Sequence, residues 1–177
     1  PSRKHPEYWD GDINWLGIRD AGYHHGGTIN ETLQKTNELG LENSASVLLP
    51  AGTISFSRTA SVGYVVKMGV PMATSQDFVN WVCTEAVDPD WLKWLLVAEA
   101  ESIKGFGKGS THTTVYYPEL LSLHVALPPL EEQREIVRQI EKLFAFADRL
   151  EDRMEELKAT VEDLPHAVLD RAFRVQL

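Results

Sequence analysis

Two hydrophobic periods divide the chain. Up to Pro128, short apolar runs rich in β-branched and aromatic residues alternate with turn-forming segments: INWLGI (13–18), TISFS (53–57), VGYVVKM (62–68) and DFVNWVC (77–83), bounded by PAG, GG, TAS and GVP. Such runs predict strands. Two stretches predict helices, TNELGLENSA and, more clearly, DPDWLKWLLVAEAESIKGFG. In the second, Asp88 supplies an N-cap, Pro89 fits the first turn, and Gly105 or Gly107 ends the helix. The expected fold is an α/β (α+β) globular domain over residues 1–128, of ordinary domain size.

From residue 129 the period changes. Ile136, Ile140, Leu143, Ala147, Leu150, Met154, Leu157, Val161, Leu164 and Val168 advance by four and three in turn, a heptad seam with Glu, Arg, Lys and Asp between its members. Residues 129–177 are therefore expected to form one long coiled-coil helix for spacing or dimerisation. At 1.5 Å per residue, Glu131 to Arg174 would span roughly 65 Å. Pro165 is expected to kink the helix or end its regular part. An apolar seam must be buried against another helix, and the chain contains no second one of matching length. The partner is expected from a second copy, from another subunit, or from a further part of the same polypeptide.

Composition narrows the class. The 43% hydrophobic and 24% charged content of the 177 residues fits an ordinary globular protein. No run of about 18 apolar residues and no signal-peptide pattern occurs, so the expected location is cytoplasmic, with no membrane partner. The lone Cys83 cannot form an internal disulfide and is read as a small packed hydrophobe. The chain opens on Pro1 within PSRKHPEYWDG, which reads like the middle of something, so a truncated or processed start is expected. The net charge of −9 counts against a free-standing nucleic-acid binder. Part of it sits on the helix, where residues 131–177 hold 12 acids and 8 bases; the remainder holds 14 and 9.

Catalytic and cofactor signatures fail one after another. GFGKGST resembles a phosphate loop, but Lys108 precedes Gly109 rather than Ser or Thr, and Ser102 stands where the first glycine belongs. DGDINWLG begins like a calcium loop yet has Trp15 at the glycine position and Ala21 at the glutamate position. DPDW (88–91) resembles the DPPW or NPPY loop of amino-methyltransferases, with Asp90 in place of a proline; helix capping explains it better. His24 and His25 lack further ligands at metal spacing and read as an exposed loop, so no metal site is expected. No GxSxG elbow appears. What remains is polar and basic turn chemistry. Arg58 sits among Ser57, Thr59 and Ser61, Gln76 lies in TSQDF, and KGFGKGSTHTT (104–114) contributes Lys108, Ser110, Thr111 and His112. Arginine and glutamine can read guanine and adenine edges, while hydroxyls and lysines hold phosphates. For any one of these turns taken alone, ordinary surface polarity is the better reading.

A resemblance then adds to this reading. LPPLEEQREIVRQIEKLFAFADRLEDRMEEL (127–157) closely resembles the segment that follows each target-recognition domain in the specificity subunits of type I restriction-modification systems. YWDGDINWLGIRD, LLPAGTISFSRTASVGYV, PMATSQDF and GSTHTTV, in that order, resemble one such domain, and LDRAFRVQL resembles the end of the family's helix. The likeness implies double-stranded DNA as a partner, with each of two recognition domains reading half of a split site. It implies long helices, packed antiparallel, that dock methyltransferase subunits. Those subunits bind S-adenosylmethionine and methylate adenine, and a separate restriction (motor) subunit cuts the DNA. It further implies that this chain has no catalysis and no cofactor of its own, and it adds Arg19 to the candidate DNA contacts. A full subunit resembles two such units in tandem, so this chain is expected to be a fragment or a half-subunit acting as a homodimer. A homodimer would read a symmetric site. The alternative from another class is a coiled-coil dimeric interaction protein whose globular head binds a protein or a small ligand.

Overall fold

The computed structural model describes residues 1–107 and 113–174. It comprises two compact units, Pro1–Arg134 and Glu135–Leu177. In the first, a 3-10 turn (Pro6–Tyr8) is followed by β1 (Ile13–Leu16), α1 (Ile18–Tyr23), β2 (Thr28–Ile29), β3 (Gln34–Thr36) and α2 (Glu38–Glu42). Then come β4 (Ile54–Ser57), β5 (Val65–Met68), β6 (Met72–Thr74), β7 (Phe78–Trp81), α3 (Pro89–Lys104), α4 (Tyr117–Leu121) and the start of α5 (Leu130–Arg174). The architecture is α/β, with the long C-terminal helix that the heptads predict.

The strands form two sheets, ordered β3-β1-β6 and β2-β5-β4-β7. β1 runs antiparallel to β3 and parallel to β6; β4 runs antiparallel to both β5 and β7. Alternation along the second sheet builds two cores. Ile54, Phe56, Val65 and Val79 pack with Leu96 and Ile103 of α3, whereas Val66, Met68 and Phe78 pack with Leu16 and Met72 of the first sheet. Val65 and Val66 thus fall in different cores, as a period of two requires. Every residue of β4 is buried as a result, including Ser55, whose hydroxyl donates to Asn80 Oδ1 at 2.7 Å.

The three strands read at 53–57, 62–68 and 77–83 are β4, β5 and β7, and INWLGI yields β1 over its first four residues. Its last residue, Ile18, instead opens α1, a helix the sequence does not predict. Gly17 has no side chain to cap with; the Asp20 carboxylate closes the turn by accepting from the Gly17 N–H at 3.0 Å and from the Leu33 N–H at 2.8 Å. α3 starts as expected, with Asp88 Oδ1 accepting from the N–H groups of Asp90 and Trp91.

Two polar clusters fix α3 and the entry to α5. Lys67 Nζ holds both Asp90 oxygens at 2.7 and 2.8 Å, and the nearly buried Lys93 approaches Asp90 at 3.3 Å while lying over the Trp94 ring. Burial alone would raise the Asp90 carboxyl, but the Lys67 bond and the two ammonium charges outweigh it and hold the group below its ordinary value. Gln133, fully buried, accepts from the Asp88 N–H at 2.7 Å and donates to the carbonyls of Ala86 and Pro128. The first turn of α5 therefore belongs to the globular unit, and the division falls at Arg134 rather than at the proline pair.

α5 carries acids in its first turn and Arg171 and Arg174 in its last, matching the helix dipole. Glu135 accepts from Arg138 at 2.6 and 2.8 Å and from Gln139, contacts that pull its carboxyl down to about 2. The helix continues through Pro165 instead of ending there. The Val161 carbonyl, which Pro165 cannot bond, belongs to an exposed residue and can turn to water.

Candidate nucleic-acid interface

Strand direction decides which turns meet. Parallel pairing sets the C-terminal ends of β1 and β6 at the same edge, while antiparallel pairing sets the end of β4 beside the starts of β5 and β7. The connections at Gly17–Arg19, Arg58–Tyr64 and Ser75–Asp77 consequently share one end of the globular unit. Backbone bonds tie them: Ser75 N–H to Leu16 O at 3.3 Å, Arg58 N–H to Asp77 O at 2.8 Å, and Val115 N–H to Arg58 O at 2.9 Å.

The candidate contacts predicted from sequence separate here. Arg58 is partly exposed, with its Nε–H donating to Gln76 O at 3.1 Å, and its Nη groups make no hydrogen bond among the described residues. The Gln76 side chain is exposed. Thr59 and Ser61 are half-buried in a tight turn closed by Ser61 N–H to Thr59 O, with Ala60 at φ 62°. Ser57 has to be withdrawn from the set. It is fully buried, its hydroxyl donates to Ser61 O and accepts from the Tyr64 N–H, and it holds the turn together from inside. Lys108, Ser110, Thr111 and His112 lie outside the described residues. Thr113 lines a cleft with Ala60, Ser61 and Lys104.

Arg19 proves to be the most central of the candidates. It lines a cleft of about 400 Å³ with Ser61, Tyr23 and Tyr64, and another of about 640 Å³ with Arg3, Gln34, Ser75 and Asp77. Sequence reasoning missed Arg3 and Gln34. Arg3 Nη2 donates to Gln34 Oε1 at 2.9 Å, and its guanidinium carbon lies 4.9 Å from the centre of the Trp9 ring. A signal was available, because Arg3, Arg19 and Arg58 are the three arginines of residues 1–128.

The other chemistry-bearing residues have structural employment. His24 and His25 are exposed, and His25 Nδ1 accepts from the Val65 N–H at 3.1 Å, which holds β5 beside the 24–27 loop. Cys83 packs partly buried against the α3 core, where burial first, and the Asp88 charge second, push its thiol up and away from reactivity. Among the described residues no group of His, Cys, Asp and Glu has the arrangement of a metal site, and no helix is long and apolar enough to cross a membrane.

The predicted seam lies along α5. Ile136 and Ile140 are half-buried, but Leu143, Ala147, Leu150, Met154, Leu157, Val161, Leu164 and Val168 are all exposed. Phe144, Phe146 and Phe173 are exposed beside them. Among the described residues, α5 therefore carries a long exposed apolar stripe at the seam positions.

Comparison with known proteins gives one consistent result. The type I restriction enzyme MjaIX specificity subunit of Methanocaldococcus jannaschii is 28% identical over 155 residues, covering 86% of this chain and 35% of that protein. The EcoKI specificity subunit of Escherichia coli strain K12 is 44% identical over 59 residues, covering 33% of this chain and 13% of that protein. The crystal structure of an HsdS subunit from Thermoanaerobacter tengcongensis shares the fold with a TM-score of 0.67 at 20% identity, over 96% of this chain and 39% of that one. The chain thus spans about a third of the length of the first of these relatives. Its residues 1–159 match the type I restriction modification DNA specificity domain, and the chain belongs to that family.

Proposed function

We propose that this chain recognises DNA sequence as part of a type I specificity subunit, reading one half of a bipartite site through the turns at the shared end of its two sheets. In this reading α5 packs its bare stripe against a second long helix, from an identical chain or from a further part of the same polypeptide, and docks methyltransferase subunits. The chain itself is non-catalytic. S-adenosylmethionine belongs to the methyltransferase partner, the restriction subunit joins indirectly, and the assembly works in the cytoplasm.

The observation that carries this reading is the gathering of Arg19, Arg58, Ser61 and Gln76 on turns that strand pairing brings to one end. Guanidinium and carboxamide groups are the side chains that distinguish base edges, and small hydroxyls complement them at phosphates. Lys67 and Lys93, by contrast, are consumed by Asp90. The acidic balance fits a division of labour in which partner subunits supply much of the phosphate contact.

The test is binding of duplex DNA by the complete specificity subunit assembled with its methyltransferase subunits, across a salt series. Specific binding whose logarithmic affinity falls linearly with the logarithm of salt concentration is expected. Salt-independent behaviour, with no preference among sequences, would instead favour a head that binds protein or a small ligand.

A further inference from the structure

Resting on the DNA-reading assignment above, we propose that Arg3 is a further specificity-determining residue, which reads a guanine edge from the N-terminal flank of the same face. Three observations lead there. Arg3 and Arg19 line the same cleft, the one that Ser75 and Asp77 also border, so the N-terminal segment adds to the end where the three turns meet. Although exposed, Arg3 is held from two sides, by Gln34 Oε1 at 2.9 Å and by the Trp9 ring at 4.9 Å. Trp9 in turn stands edge-on to the buried Trp15, at 5.3 Å between ring centres, which anchors the support in the core.

That support separates base readout from general charge. A phosphate accepts a cation from many directions, and a mobile lysine serves it well. A guanine O6/N7 edge requires a planar fork in a fixed orientation, and fixing the fork beforehand removes ordering cost at the moment of binding. One hydrogen bond to Gln34 commits a single N–H of the five that a guanidinium carries, so a bidentate pair remains for the base. Gln34 is an exposed residue of β3 whose side-chain amide makes no other hydrogen bond among the described residues, and it acts as the positioning residue.

The experiment compares wild type, Arg3→Lys and Gln34→Ala in the complete subunit assembled with its methyltransferase partners. Each is assayed for binding against duplexes that vary one base pair at a time. Arg3→Lys keeps the charge, so the expected result is a loss of discrimination at one G·C position of roughly ten- to a hundredfold, with the salt slope and preferences elsewhere unchanged. Gln34→Ala should weaken discrimination at that same position by a smaller factor. Unchanged discrimination in Arg3→Lys overturns the proposal, as does a uniform loss across all sequences. Unfolding midpoints are compared in parallel, and a loss confined to one base position in a fully folded variant is the supporting result. A wild-type assembly without sequence preference would overturn the DNA-reading assignment itself, whereas a selective wild type with an unaffected Arg3→Lys overturns only the role of Arg3.

Discussion

Phe56 and Phe146 are the same side chain in opposite circumstances. Phe56 is fully buried between β4 and α3, while Phe146 is 53% exposed on α5. The contrast extends to whole units. In the globular unit, β4 has both faces covered, and its buried hydroxyls, together with the Gln133 amide, find partners within the chain. Along α5 from Leu143 onward, side chains of equal hydrophobicity remain bare at heptad spacing. Burial of a leucine contributes about 1.5–3 kcal/mol. The globular unit gains that contribution within its own cores, whereas the apolar side chains along α5 stay exposed. One sequence thus encodes a unit that buries its own core and a helix that keeps an apolar stripe exposed.

The contrast is broken most severely at the seam. Replacing both Leu150 and Leu157 with Lys places two charges in the stripe; loss of self-association or of methyltransferase docking is expected, with no change in the unfolding midpoint of the globular unit. Light scattering across a concentration series reads the first and denaturant titration the second. An assembly of wild-type mass would refute the seam. The next largest effect lies where the helix joins the head. Gln133→Ala removes the partner of the Asp88 N–H and of two carbonyls, and should cost the globular unit about 2–4 kcal/mol in urea unfolding. Glu132→Ala, one residue earlier and exposed, should change it by less than about 0.5 kcal/mol.

What the sequence disclosed follows from how far each signal reaches. β4, β5 and β7 stand out because alternating apolar residues fill four-residue strands, and α3 because Asp88 and Pro89 mark its start. β2, β3 and β6 are two or three residues long and exist through pairing with distant strands, so no local period announces them. α1 and α4 are too short to show helical periodicity, and α2 covers only Glu38–Glu42 of the longer stretch that predicts it. Gln133 resembles a solvated flank, yet it lies three residues before Ile136 and so extends the seam's own face into the head, where its amide is buried.

The site was legible in part for similar reasons. Arg58 and Gln76 belong to turns that composition alone marks as polar. Ser57 has the same appearance in sequence, but it shares a face of β4 with the buried Ser55, and its hydroxyl turns inward. Arg3 and Gln34 are 31 positions apart and meet only through the fold. Arg19, a weaker candidate than Arg58 in the sequence, lines two clefts because β1 ends beside β6.

The most direct test of the proposed DNA-reading role is the Arg58→Ala variant of the assembled complex, measured for specific and non-specific DNA affinity together with its unfolding midpoint. Specific affinity is expected to fall by about 1–3 kcal/mol, with the midpoint unchanged. Unchanged affinity and unchanged sequence preference would contradict it.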